Sequence, residues 1–97
     1  MHVIGRKALR EFAFAHADSE AALNAWFKVA ERAEWKSLVE VRAVYPHADP
    51  VGECMVFNIH GNRYRLICGI DYEEQMIYIK HVLTHQDYDR GRWKSGC

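Results

Sequence analysis

Apolar and polar residues change their period near the middle of the chain, which separates a helical first half from a strand-rich second half. His2, Val3 and Ile4 form a short β-like start that Gly5 stops. From Arg6 the period is helical, with Leu9, Phe12, Ala13 and His16 on one face and Arg6, Lys7, Arg10 and Glu11 around the rest. Asp18 and Ser19 offer an N-cap, and Glu20 sits in the first turn, where the helix dipole favours negative charge. Ala22, Ala25, Trp26, Val29 and Ala30 give a second helix its apolar stripe, running to about Glu34. Two such neighbours predict an antiparallel helical hairpin. Ser37 caps a third, shorter helix with Val41 and Val44 inward, and Pro46 ends it because proline disfavours helical geometry in the residue before it. His47 to Glu53 reads as loop.

The second half alternates. Met55–His60, Gly61-Asn62 and Arg63–Cys68 read as a β-hairpin with a two-residue turn. Its register places Met55 opposite Cys68, Phe57 opposite Leu66 and Ile59 opposite Tyr64 on one face. Val56 and Ile67, Asn58 and Arg65, and His60 and Arg63 pair on the other. A third strand, Met76–Thr84, turns Ile77, Ile79 and Leu83 toward the core and Tyr78, Lys80, Val82 and Thr84 toward the side of Arg65. A sheet covered by helices on one side leaves its other side open. That open face collects Asn58, Arg63, Arg65, Tyr78 and Lys80. Thr84-His85-Gln86-Asp87 has the form of a capped helix start, and on that turn His85 and Tyr88 point the same way.

The expected class is α+β, a small antiparallel sheet with two or three N-terminal helices packed on one face. Residues 1–97 form a single domain, with 90–97 as a flexible basic tail. At 49% hydrophobic and 27% charged residues, the chain is ordinary globular material. A formal net charge of +0 argues against a protein that coats nucleic acid, while leaving room for a local basic site. No signal-peptide pattern or membrane-length apolar run is seen, so a cytoplasmic protein is expected. The three cysteines show no CxxC spacing: Cys54 and Cys68 read as small apolar strand residues and Cys97 as a tail thiol. The six histidines have no zinc-like spacing, so neither metal nor another cofactor is expected.

Arginine and lysine stabilise phosphate charge, histidine moves a proton near neutral pH, and tyrosine stacks on a base or donates a proton. Metal-free RNA cleavage needs little more than this set. Each residue has a plainer role too. A strand arginine solubilises, a histidine after a strand caps or hydrogen-bonds, and a tyrosine edges a core. Pattern alone therefore reaches an α+β domain with a cationic sheet face.

Four segments carry a resemblance: Val3-Ile4-x-Arg6-Lys7-x-Leu9-Arg10-Glu11-Phe12, Ala33-Glu34-Trp35-Lys36-Ser37, Val56-Phe57-Asn58-Ile59-x-Gly61-Asn62-x-Tyr64-Arg65-Leu66, and Thr84-His85-x-x-Tyr88-Asp89. In this order and spacing the chain resembles the HigB toxins, within the RelE-like group of bacterial toxin–antitoxin systems. The resemblance implies helices on a small antiparallel sheet and an mRNA interferase that cuts mRNA, usually on the ribosome. It also implies a HigA-like antitoxin with a helix-turn-helix domain, which contacts operator DNA and so links the toxin to that DNA only indirectly. No membrane partner is expected. Carried over by position, Arg65 would hold the scissile phosphate with Lys80, His85 would act as general acid or base, and Tyr88 would stack or share proton transfer. Asn58, Arg63, Lys36, Arg90 and Arg92 are the expected RNA contacts. Relatives are often clearly basic, and this neutral chain departs from that. Two other classes stay open: a non-catalytic protein that binds antitoxin or ribosome on the same scaffold, and a metal-dependent hydrolase using the histidines.

Overall fold

In a computed structural model that describes Met1–Cys97, the chain runs β1 (His2–Ile4), α1 (Arg6–Ala15), a 3-10 turn (Ala17–Ser19), α2 (Glu20–Arg32), α3 (Leu38–Val44), β2 (Asp49–Val51), β3 (Cys54–Ile59), β4 (Tyr64–Asp71), β5 (Met76–Thr84), α4 (His85–Arg90) and a second 3-10 segment, Arg92–Gly96. The strands form one sheet in the order β1-β5-β4-β3-β2. It is the expected α+β class, antiparallel except that β1 lies parallel to β5. No helix is long and apolar enough to cross a membrane.

Helical periodicity largely decides which residues go inward. Leu9 and Ala13 of α1 are buried, and Gly5 makes the corner before it with φ of 101°. A Cβ at Gly5 would stand 3.0 Å from that of Ile79, so glycine is needed there for close approach as well as for its backbone angle. In α2 the buried residues are Leu23, Trp26 and Ala30, while Ala25, expected inward, is exposed: the larger Leu23 turns the helix toward its own side. The Ser37 hydroxyl accepts the Glu40 N–H at 3.4 Å, as its cap position predicts. Val41 is fully buried, but Val44 in the last turn of this short helix is 50% exposed, and Tyr45 packs instead against Trp35 and Phe57.

The β3–β4 hairpin has the expected register from Met55 opposite Cys68 to Ile59 opposite Tyr64. His60 and Arg63 do not extend the ladder; they bound the turn. His60 and Gly61 both take left-handed angles, with φ of 53° and 64°, and Arg63 N–H donates to His60 O at 3.3 Å. Part of the expected loop is the edge strand β2, where Pro50 is tolerated because an edge leaves its missing N–H without consequence.

β5 departs further. Ile67 faces His81 but Cys68 faces Ile79, so one extra residue, Lys80, bulges from β5. Before the bulge Ile77 and Ile79 point to the helices as expected. After it the sides exchange: Val82 pairs with Leu66 on the helical side and Leu83 with Arg65 on the other, the reverse of the alternation.

Two cores result. The larger lies between the helices and the sheet and contains Leu23, Trp26, Val41, Phe57, Leu66 and Ile77. The smaller lies on the opposite face, where Trp93 covers Cys54, Val56 and Ile67, with Leu83, Tyr88 and Cys97 at its rim. That face is therefore not open along its length. The segment expected to be a loose tail is folded onto it, because Trp93 has an apolar strand surface to bury. Cys54 and Cys97, expected as free thiols, form a disulfide with Cα atoms 5.3 Å apart. Glu53 N–H donates to Cys97 O at 2.8 Å, and the Lys80 ammonium to Gly96 O at 2.9 Å. Cys68 is free and buried, and its burial pushes its thiol up to about 12.

Candidate functional site

Arg65 is the only charged side chain among the buried residues, at 9% exposure. Strand β4 aims it away from the helices, beside Leu83 and toward α4. One guanidinium nitrogen donates to the carbonyls of Asn62, at 2.7 Å, and Tyr64, at 3.1 Å. The guanidinium carbon stands 5.1 Å from the centre of the Tyr88 ring. No carboxylate reaches it: the ion pairs of the domain are Lys7–Glu11, His60–Asp18, Arg63–Asp18, His85–Asp89 and Arg90–Asp87. Burying a charge costs free energy unless a partner offsets it. Two carbonyls and a ring face orient this cation and leave its charge without a counter-ion.

Helix α4 brings the other reactive groups. The Thr84 hydroxyl accepts the Asp87 N–H at 3.2 Å, the cap expected from the sequence, and starts the helix where β5 ends. His85 Nε2 lies 3.2 Å from an Asp89 carboxylate oxygen one turn on. That contact orients the ring and leaves Nδ1 for other work. Tyr88, on the inner side of α4, meets both the Arg65 guanidinium and the Trp93 indole.

The hairpin tip supplies a second wall. A shallow concavity is lined by His60, Asn62, Arg63 and His85, with no apolar residue. Asn58 amide donates to the Asn62 side chain at 3.3 Å and stays exposed beside it. Arg63 is partly diverted: one of its nitrogens is 2.7 Å from Asp18, whose other oxygen accepts the Tyr64 hydroxyl at 2.6 Å. These bonds, first that from Tyr64 and then that from Arg63, hold the Asp18 carboxyl below its ordinary range, and they raise Arg63 and Tyr64 in return. The turn between α1 and α2 is thereby tied to the hairpin tip.

Of the residues expected from the sequence, the structure groups Arg65, Tyr88, His85, Asn58 and Arg63 at one end of the sheet. Lys80 is on the same face, but it lies further along β5 and its ammonium is committed to Gly96 O. Arg90 pairs with Asp87 at 3.1 Å, and with Arg92 and His81 it borders a separate hollow of about 350 Å³ beside the C-terminal segment. Lys36 is at the far end of the sheet, next to Glu34, Tyr72 and Gln75, and does not join the group. Five contributors were missed as site residues: His60 and Asn62, which read only as parts of the hairpin and its turn; Asp89, readable from its i,i+4 spacing to His85; Trp93, seen only as a ring in a tail; and Asp18, which no local pattern links to Arg63. No group of three or more His, Cys, Asp or Glu side chains is placed to share a metal ion.

The fold and this face define a small α+β domain that presents an uncompensated arginine, a carboxylate-oriented histidine and a tyrosine ring together. A family model described as HigB_toxin, RelE-like toxic component of a toxin-antitoxin system, matches residues 19–91. The chain is similar to the mRNA interferase toxin HigB of Escherichia coli strain K12, with 32% identity over 92 residues, covering 92% of this chain and 88% of that protein. The mRNA interferase HigB of Shigella flexneri shows the same 32% identity over 92 residues. That of Escherichia coli O6:H1 is 25% identical over 93 residues, 93% of this chain and 90% of that one. The chain belongs to the HigB toxin family, the RelE-like toxic components of toxin–antitoxin systems.

Proposed function

We propose that this toxin is an endoribonuclease that cleaves mRNA without a metal ion, and that Arg65, His85 and Tyr88 carry the reaction. The single observation behind this is the buried Arg65 guanidinium, held by carbonyls and a ring and lacking a carboxylate. A phosphodiester supplies the missing anion, and the nitrogens not bound to carbonyls present a fork to it. In cleavage, a base removes the proton of the ribose 2′-hydroxyl, that oxygen attacks phosphorus, and an acid protonates the departing 5′-oxygen. Arg65 stabilises the charge that grows on the phosphoryl oxygens. His85, held by Asp89, exchanges a proton with the 2′- or 5′-oxygen, and Tyr88 stacks on a base or passes a proton. His60, Asn62 and Arg63 border the path of the neighbouring nucleotides, with Asn58 beside them. Lys80 raises the local potential from further along the face. The similarity of 92–93% of the chain to mRNA interferases supports the same reading.

This reading includes cutting on the translating ribosome, action in the cytoplasm where mRNA is translated, and silencing by a HigA-like antitoxin bearing a helix-turn-helix domain. The test is induced expression in a bacterial host lacking an antitoxin, following growth and mapping RNA 5′ ends. Growth arrest with new mRNA ends is expected. Arg65→Ala and His85→Ala should each reduce cleavage by roughly 10²–10³-fold while the domain stays folded. In-frame ends locate the cutting on ribosomes. Unchanged growth and RNA ends from folded, soluble wild-type protein would refute the nuclease and favour the binding-only scaffold.

A further inference from the structure

Helix α4 carries His85 and Tyr88 but has no buried residue of its own. Six residues, none of them fully buried and only Tyr88 at the rim of a core, do not hold a fixed orientation by helical hydrogen bonds alone. What fixes α4 lies after it. The chain reverses at Gly91, with φ of 73°, and sends Trp93 back beneath the helix. The indole stacks on the Tyr88 ring with centroids 5.1 Å apart and planes 13° from parallel. Its Nε1 donates to Tyr88 O at 2.9 Å, so ring and backbone of the same residue are gripped together. Trp93 is only 5% exposed, in the second core over Val56 and Ile67. The Tyr88 ring thus contacts both the Arg65 guanidinium and the Trp93 indole. The segment bearing Trp93 is anchored beyond it by the Cys54–Cys97 disulfide and the Lys80–Gly96 hydrogen bond.

We propose that Trp93, held by the tether between Cys54 and Cys97, is a positioning residue for RNA cleavage: it sets the Tyr88 ring, and through it α4, against Arg65. Trp93 touches no substrate. Its nearly complete burial leaves no ring face for a base, so its influence passes through Tyr88. The inference rests on the reading that Arg65 and Tyr88 belong to the cleavage site, and the experiment separates the two.

Purified wild-type and variant toxins would be compared on an mRNA in a bacterial translation extract. Two quantities are read: the cleavage rate at saturating toxin and the toxin concentration giving half that rate. Arg65→Ala and Tyr88→Ala test the underlying reading, and wild-type cleavage by both would remove it. If both lose activity, Trp93→Leu tests the positioning. Its saturating rate should fall about tenfold or more, as small displacements of reacting groups cost, with the half-saturating concentration changed less than about twofold. Trp93→Phe keeps a stacking ring and should recover most of the rate. A folded Trp93→Leu protein with the wild-type saturating rate overturns the proposal, as does a rate that Trp93→Phe recovers no better than Trp93→Leu. Should Trp93→Leu fail to fold, Cys97→Ser decides the matter in a reductant-free extract in which thiol alkylation shows the wild-type disulfide intact, because it removes the tether and keeps the indole. Its saturating rate should fall about threefold or more, and an unchanged rate refutes the role.

Discussion

Breaking the Cys54–Cys97 link should cost this domain a large part of its stability, although the C-terminal segment stays docked on the sheet with only a looser hold on Trp93. The two cysteines are 43 residues apart. In the chain-entropy account, closing a loop of that length removes about 4 kcal/mol of freedom from the unfolded ensemble. A domain of this size is typically stable by about 5–15 kcal/mol. In the native state Trp93, the Glu53–Cys97 hydrogen bond and the Lys80–Gly96 hydrogen bond still dock the tail after reduction. The loss therefore arises in the unfolded chain, and it should appear with a larger denaturant slope as that chain expands. Urea unfolding followed by tryptophan fluorescence would compare oxidised protein, dithiothreitol-reduced protein and Cys97→Ser. The last two should agree with each other and fall about 4 kcal/mol below the first. Thiol alkylation fixes the starting state: one reactive thiol after denaturing the oxidised protein, Cys68, and three after reduction. A difference under about 1 kcal/mol in protein whose thiol count proves oxidation would refute the loop-closure reasoning. The cytosol keeps most thiols reduced, so the same alkylation on rapidly quenched cells tests whether the bond persists where mRNA is translated.

Other perturbations give separate checks. Phe57→Ala, which removes a buried ring packed against Trp26, Trp35 and the half-buried Tyr45, should lower stability by about 3–5 kcal/mol in the same urea assay. His60→Gly should raise it by about 1 kcal/mol, since the left-handed angle at His60 strains any side chain and suits glycine. Asp18 is held below the ordinary carboxylate range, so the stability it contributes is present above its unfolded-state pKa and disappears as pH falls through the lower folded-state one. Asp18→Asn should therefore be less stable than wild type at neutral pH and converge on it in acid. A gap that stays constant from pH 7 to about 2 would contradict the network drawn around Tyr64 and Arg63. Cys68, pushed up to about 12 by burial, should resist alkylation at neutral pH until the domain unfolds.

Local periodicity carried the hairpin and its register, because two alternating strands around Gly61-Asn62 leave one arrangement that buries Phe57 and Leu66 together. The cap of α4 and the grouping of Arg65 with His85 and Tyr88 were likewise legible, the latter through resemblance to the HigB toxins. Long-range choices were not. Nothing in His2–Ile4 tells which strand it joins, and its parallel partner is β5 at the other end of the chain. The second core was half visible in the pairing of Val56 with Ile67, two apolar residues on a face otherwise read as polar. Trp93 and Cys97, which complete it, carry no local pattern that ties the end of the chain to that face. Lys36, placed near the site by family position alone, falls at the opposite end of the sheet because no strand in its segment connects it to Arg65.

The extra residue at Lys80 bears on how faithfully the sheet can assemble. Two regular strands can slide by two residues and still present the same side chains to the same side, which leaves a domain with near-equivalent mispaired forms. β5 has no such freedom. Ile77 and Ile79 before the bulge, and Val82 after it, reach the helical side only if the irregularity sits opposite Ile67 and Cys68. Slippage by any number of residues misplaces one half of the strand. A single irregular position thus acts as a key that admits one alignment, protecting a small toxin from folding into the wrong copy of itself.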